Sequence, residues 1–206
     1  MLTPLTPTPS RQAPSAQHGT TRHHDKRFFR IPAKLKGQTP SPPRADWSEM
    51  VCAWIGGFVG IAAVAFLHFR VLDTVGLQLI TGSFGSSAVL LFGAIKSPLA
   101  QPRNLLGGHL LSALVGVVCY QLVGDIPWLA SSLAVATAIV LMQITKTLHP
   151  PGGATALIAV IGGDSVHQLG FLFVLAPVTI GAVVMLAVAL VVNNIPRNRQ
   201  YPTFWW

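Results

Sequence analysis

The sequence predicts an all-α polytopic membrane protein of six short transmembrane segments, arranged as two inverted three-span repeats in which the second and fifth spans are discontinuous. Three observations predict it. Hydrophobic residues make up 51% of the 206 positions and charged residues only 10%, against roughly 25% charged in soluble domains. Apolar runs recur from Asp46 onward with short polar breaks between them. The cationic residues beyond the first 45 fall mostly in those breaks that a six-span count puts on one side of the membrane.

The formal charge of +8 does not describe a nucleic-acid-binding face. Eight of the fourteen Lys and Arg residues precede Asp46, and most of the rest sit between apolar runs, which is how a membrane anchor distributes charge. Residues 1–45 are rich in Pro, Ser, Thr, Gln and His, with Asp25 as their one acidic residue. Such a segment cannot bury enough apolar surface to fold alone, and it holds no apolar run of signal-peptide length. It reads as a disordered basic cytoplasmic tail; the alternative is an organelle transit peptide, which would place the chain in a plastid membrane rather than the preferred bacterial inner membrane. Cys52 and Cys119 both fall inside apolar runs, so neither a disulfide framework nor a metal site is expected.

The transmembrane domain is read over 46–195 and a cytoplasmic end over 196–206. Its apolar runs cover about 50–69, 75–95, 105–123, 127–145, 150–163 and 169–192. Asp46 followed by Glu49 resembles a capping box for the first, and Pro127 suits the first turn of the fourth. The second is interrupted from Thr81 to Ser87, with a half-helix expected from Ser86, and the fifth opens on His149, Pro150, Pro151, Gly152 and Gly153. An extended His149–Gly153 stretch followed by helix to Gly163 would cover about 30 Å, enough to cross the hydrocarbon. With the tail inside, six crossings put Lys96, Arg103, Lys146, Arg197 and Arg199 on the cytoplasmic side and Asp73, Asp125 and Asp164 outside; Arg70 departs from the pattern. The alternative is four spans plus two re-entrant segments.

Gly85 to Ala94 (GSSAVLLFGA) lies over Gly153 to Gly162 (GATALIAVIG) without a gap, small residue on small and branched apolar on branched apolar. Each has an ordinary span on either side, so the second half enters from the opposite face, as in many secondary transporters. Both half-helix N-termini would then point at the midplane, where free N–H groups favour an anion.

HPPGGATAL from His149 to Leu157, GSFGSSAVLLFGA from Gly82 to Ala94, SPLAQPRN from Ser97 to Asn104 and GGHLLSALVG from Gly107 to Gly116 together resemble the HPP family of integral membrane proteins. The resemblance covers about 48–195. It implies a membrane domain usually described with four transmembrane helices and, from characterised plastid and cyanobacterial-type members, nitrite transport. Lys96 stands where many members are expected to carry a polar or acidic residue.

The expected function is therefore transport of a small inorganic anion, nitrite or a similar ion. The substrate site is expected among Ser83, Gly85, Ser86, Ser87, His149, Pro150, Pro151, Gly152, Gly153 and Thr155. Lys96, Arg103, His109 and Lys146 are expected to form a vestibule or gate, His109 being an ionisable residue inside a span. His149 has a bland reading too, as an interfacial residue before a proline. No cofactor or metal is expected. Paired carboxylates and HExxH are missing from the sequence, which argues against an intramembrane enzyme. The alternative function is a non-transporting scaffold or accessory subunit. Expected partners are the bilayer and the anion, with no nucleic acid; Gly56 with Gly60, and Gly108 with Ser112 and Gly116, have the spacing for close helix contact within the chain or in a homo-oligomer. Deleting residues 2–40 should leave membrane insertion unchanged, because the tail has nothing to pack with; a truncated chain that failed to reach the membrane fraction would make the tail a targeting segment.

Overall fold

A computed structural model describes Leu35, residues 39–72 and residues 82–206. Almost all of the tail, together with Asp73 and Thr81, lies outside the described residues. The chain divides into two units, Met1–Arg44 and Ala45–Trp206, and the second contains every helix considered below.

Helices joined by turns and loops make up that unit among the described residues. Helix α1 (Trp47–Leu67) ends in a π turn (His68–Leu72), and α2 (Gly82–Ala88) continues into another (Val89–Gly93). A 3-10 turn (Pro98–Ala100) leads to α3 (Pro102–Val123) and α4 (Pro127–Ile144). Then come α5 (Pro150–Ile161), the single turn α6 (Asp164–His167), a π segment (Val174–Thr179) and α7 (Ile180–Val192). Among the described residues, four helical stretches are long and apolar enough to cross a membrane: Trp47–Arg70, Pro102–Val123, Pro127–Ile144 and Val174–Val192. They show lipid-facing side chains such as Trp54, Phe58, Leu122 and Ile144 on their exposed sides. The short helices Gly82–Gly93 and Pro150–Ile161 each reach about 18 Å, well under the roughly 30 Å of hydrocarbon. The six-span count rests on these two.

Three local expectations are corrected. The fifth segment is not extended through Gly153: His149 alone is extended (φ −138°, ψ 103°) and the helix starts at Pro150. Prolines suit a first turn, where an N–H would have no partner in any case. Likewise, α2 is helical from Gly82 rather than from Ser86, because Phe84 and Ser87 are buried against neighbouring helices and packing outweighs the weak helix propensity of Gly and Ser. Asp46 makes no side-chain cap; Glu49 instead faces Arg199 at 3.6 Å, so its carboxylate serves a tertiary ion pair.

Helices α3 and α5 run side by side in the same direction. A Cβ on Gly152 would lie 2.9 Å from the Gly108 carbonyl, and one on Gly116 would lie 2.6 Å from the Ala156 carbonyl. Successive residues of α5 thus meet successive residues of α3. Helix α2 runs the other way, since Ser87 meets His109 within α3 while Ile95, beyond the end of α2, meets Gln101 just before α3 begins. In the gapless overlay of the two short helices, Ser87, Ala88, Leu91 and Phe92 fall on Thr155, Ala156, Ala159 and Val160, and all eight are buried.

The four-residue glycine spacings serve contacts within the chain. Gly56 and Gly60 seat the Phe92 ring, and Gly108 lies under the His149 Cβ. At one end of the bundle, the C-terminal segment packs down as part of the body. Tyr201 donates to the Ala100 carbonyl at 2.7 Å, Gln101 Oε1 accepts from the Thr203 N–H at 2.8 Å, and the Arg103 guanidinium lies over the Phe204 ring. Burial pushes the Tyr201 phenol above its ordinary range. Gly116→Val should cost about 1–3 kcal/mol by overpacking, since the obstacle is the α5 backbone; thermal unfolding in detergent should show a clear drop, and an unchanged melting curve would contradict the α3–α5 contact.

Candidate functional site

Where α2, α3 and α5 meet, four polar side chains form one buried chain of hydrogen bonds. Ser87 from α2, His109 from α3, His149 at the start of α5 and Thr155 within it are all 0–1% exposed. The Ser87 Oγ lies 2.8 Å from His109 Nε2 and 2.9 Å from His149 Nε2. His109 Nδ1 lies 2.8 Å from Thr155 Oγ1, and His149 Nδ1 lies 2.8 Å from the Leu99 carbonyl. Every ring nitrogen of both histidines has a partner.

Chemistry orders these bonds. A carbonyl only accepts, so His149 carries its proton on Nδ1 and donates to Leu99; its bare Nε2 then accepts from the Ser87 hydroxyl. The Ser87 oxygen accepts from His109 Nε2–H, and His109 Nδ1 accepts from the Thr155 hydroxyl. With both imidazoles neutral, each donor meets one acceptor. The rings stand 5.0 Å apart, centroid to centroid. Two full charges at that distance would repel by about 3 kcal/mol at an effective dielectric of about 20.

The local sequence makes this junction possible. Gly108 leaves room for His149 one residue before His109, and Gly152 packs on Ser112 and the Gly108 carbonyl. Phe84, one turn before Ser87, tilts against the His109 ring at 5.2 Å and seats on Gly181 of α7. Asn104 donates to the Leu148 carbonyl at 2.8 Å, tying the chain that enters α5 to the first turn of α3.

The expected site residues separate into two faces of the same helices. Ser87, His149, Thr155 and His109 join in the buried chain, with Ser83, Pro151 and Gly152 also buried. Gly85, Ser86 and Pro150 are exposed and Gly153 is half-buried. Ser86, Leu90, Pro150, Pro151 and Ala154 line a cleft of about 230 Å³ between α2 and α5. His109 is wholly buried, so it neither snorkels nor sits at the rim. Lys96 and Lys146 are exposed and Arg103 half-buried; the Lys96 loop, Arg103 in the first turn of α3 and the turn with Lys146 lie at the same end of the bundle, linked by the Asn104 bond to Leu148.

The α5 N-terminus offers an anion less than its position suggests. Pro150 and Pro151 have no N–H, and the Gly152 N–H is spent on the His149 carbonyl at 2.8 Å. Sequence reading missed the Leu99 carbonyl, the Asn104 anchor and the buried Arg199 and Tyr201. Asn104 alone left a trace, as a polar residue at the head of an apolar run.

Residues 42–202 match the family described as HPP, transmembrane region. The chain belongs to the HPP family. Two Dictyostelium discoideum proteins, each named only as a transmembrane protein, are 48% identical to it. One aligns over 87% of this chain and 58% of its own length, the other over 82% and 60%. The chain thus spans about three fifths of the length of these curated relatives. No solved structure matches. The relatives come from a eukaryote and lend no support to a bacterial inner membrane. For the HPP chain itself, Thr155→Val should destabilise the fold by about 1–3 kcal/mol, since His109 Nδ1 would be buried without a donor. Thr155→Ser should restore most of the loss in the same unfolding assay; equal stability of all three proteins would mean the bond carries no weight.

Proposed function

We propose that this HPP protein transports a small monovalent inorganic anion, nitrite being the first to test, together with a proton. One observation carries the reading: two histidines are buried within a bundle of membrane helices with no carboxylate in their hydrogen-bonded chain. Ionisable groups inside a membrane are costly and tend to mark ion or proton pathways. A proton taken up by this pair is an uncompensated positive charge in a low-dielectric site. An anion in the cleft at Ser86, Pro150, Pro151 and Ala154 supplies the missing charge, and the pair then crosses as a neutral unit.

This division of labour suits the α5 N-terminus as it stands. Its two prolines leave few free N–H groups for a permanent anion site, so binding follows protonation and release follows deprotonation. The exposed Lys96 and Lys146 and the half-buried Arg103, at the loop end, draw anions toward the entrance. The HPP resemblance supports the choice of nitrite.

Purified full-length chain in liposomes with a trapped pH dye, given nitrite, nitrate, formate or chloride, provides the test against protein-free vesicles. Acid outside should accelerate anion entry and bring protons in with it. Ser86→Asp should abolish entry by placing a fixed negative charge in the cleft, and His149→Gln should lower it at least about tenfold. Flux equal to that of protein-free vesicles for all four anions would leave the scaffold reading standing. Flux untouched by Ser86→Asp would remove the cleft from the path.

A further inference from the structure

From the geometry we infer that Ser87 is a proton bridge between His109 and His149, and that the two histidines together form a site for a single exchangeable proton. The inference rests on the transport reading only for its purpose; the site itself follows from the hydrogen bonds. Ser87 Oγ is within bonding distance of the Nε2 atoms of both rings, 2.8 and 2.9 Å away. A hydroxyl has one proton and two lone pairs, so it accepts from one ring while donating to the other; with both rings neutral it donates to His149, and it reverses when His149 is doubly protonated, because the Leu99 carbonyl keeps a proton on His149 Nδ1 in both states.

The chain also has a place to put the rearrangement that an added proton requires. With His109 doubly protonated, its Nδ1–H donates to Thr155 Oγ1, and the displaced Thr155 hydroxyl turns to the Pro151 carbonyl 3.4 Å away. Transfer then proceeds in one balanced exchange. The His109 Nε2–H bond breaks as a new O–H bond forms on Ser87, while the former Ser87 O–H bond breaks and its proton bonds to His149 Nε2. His109 ends neutral with its proton on Nδ1, His149 ends doubly protonated, and Ser87 still holds one proton. The one added proton comes from solvent and returns to it.

The surroundings limit the site to one proton. Phe84, Ser87, Gly108 and Thr155, which meet the pair from α2, α3 and α5, have no ionisable group. The nearest fixed charges along these elements are Arg103, six residues before His109 and set over Phe204, and the exposed Lys146. With no described carboxylate in the chain to balance a second charge, the two rings 5.0 Å apart exclude it.

The test is ¹⁵N NMR of histidine-labelled full-length protein in lipid nanodiscs, the two signals being assigned with His109→Gln and His149→Gln. Near neutral pH one ring should carry its proton on Nδ1 and the other on Nε2. On acidification both signals should move over the same pH range and account for one proton between them. Ser87→Ala should uncouple them and slow exchange at least about tenfold. If that variant does not fold, His109→Gln, which keeps one donor and one acceptor, should convert His149 to an isolated titration. Two independent protonations in the wild-type protein, coupled behaviour that survives Ser87→Ala, or a His149 titration unchanged by His109→Gln would overturn the bridge. Anion flux with independent histidines would sink the bridge and keep transport; a shared proton without flux would do the reverse.

Discussion

A membrane interior has no water to complete an unmade hydrogen bond, so each polar group placed there must find its partner in the protein. The junction of α2, α3 and α5 follows from that constraint. Two imidazoles bring four ring nitrogens, and Leu99, Ser87 and Thr155 satisfy all four. Sliding α5 along α3 by one residue would strand several of them at once. The glycines at 108 and 152 follow from the same register, because the bonds form only if the α3 and α5 backbones come close enough for His149 to lie over Gly108.

The same rule explains how the C-terminal segment docks. Breaking a membrane segment into a short helix exposes its last carbonyls, and in this fold side chains from distant parts of the chain meet them. Asn193 donates to the Leu91 carbonyl at 2.9 Å and Arg199 to that of Phe92 at 2.8 Å, both in the π turn that continues α2. Gln101 covers Ile95 and Ser97 in the following loop. The last ten residues are thus bound to the body by α2 being short, and Glu49 at the start of α1 faces Arg199 for the same reason.

Much of this was legible in the sequence, in proportion to how local its cause is. The long helices were marked by apolar runs and by Pro127, and the correspondence of Gly85–Ala94 with Gly153–Gly162 was visible as a pattern of small and branched residues. His109 and Thr155 were picked out as polar residues in apolar company. Their mutual contact was not legible, because residues 46 apart meet through packing rather than periodicity. The cap at Asp46 failed because Glu49 had a distant partner, and the extended reading of Pro150 and Pro151 failed because two prolines are equally at home in polyproline II and in a first helical turn. Arg199 and Tyr201 looked like a terminal end since nothing local distinguishes a docked segment from a free one.

The choice of residue at the junction now has a physical reason. A carboxylate there would have no donor once ionised, and a lysine ammonium would have no acceptor. Imidazole is neutral with one donor and one acceptor, and cationic with two donors. Only a partner that reverses its own role suits both forms, and a hydroxyl is such a partner. Ser87 and Thr155, which occupy equivalent positions in the overlay of the two short helices, each supply one to His109. His109 is therefore held from both short helices at once, by a hydroxyl on each of its ring nitrogens.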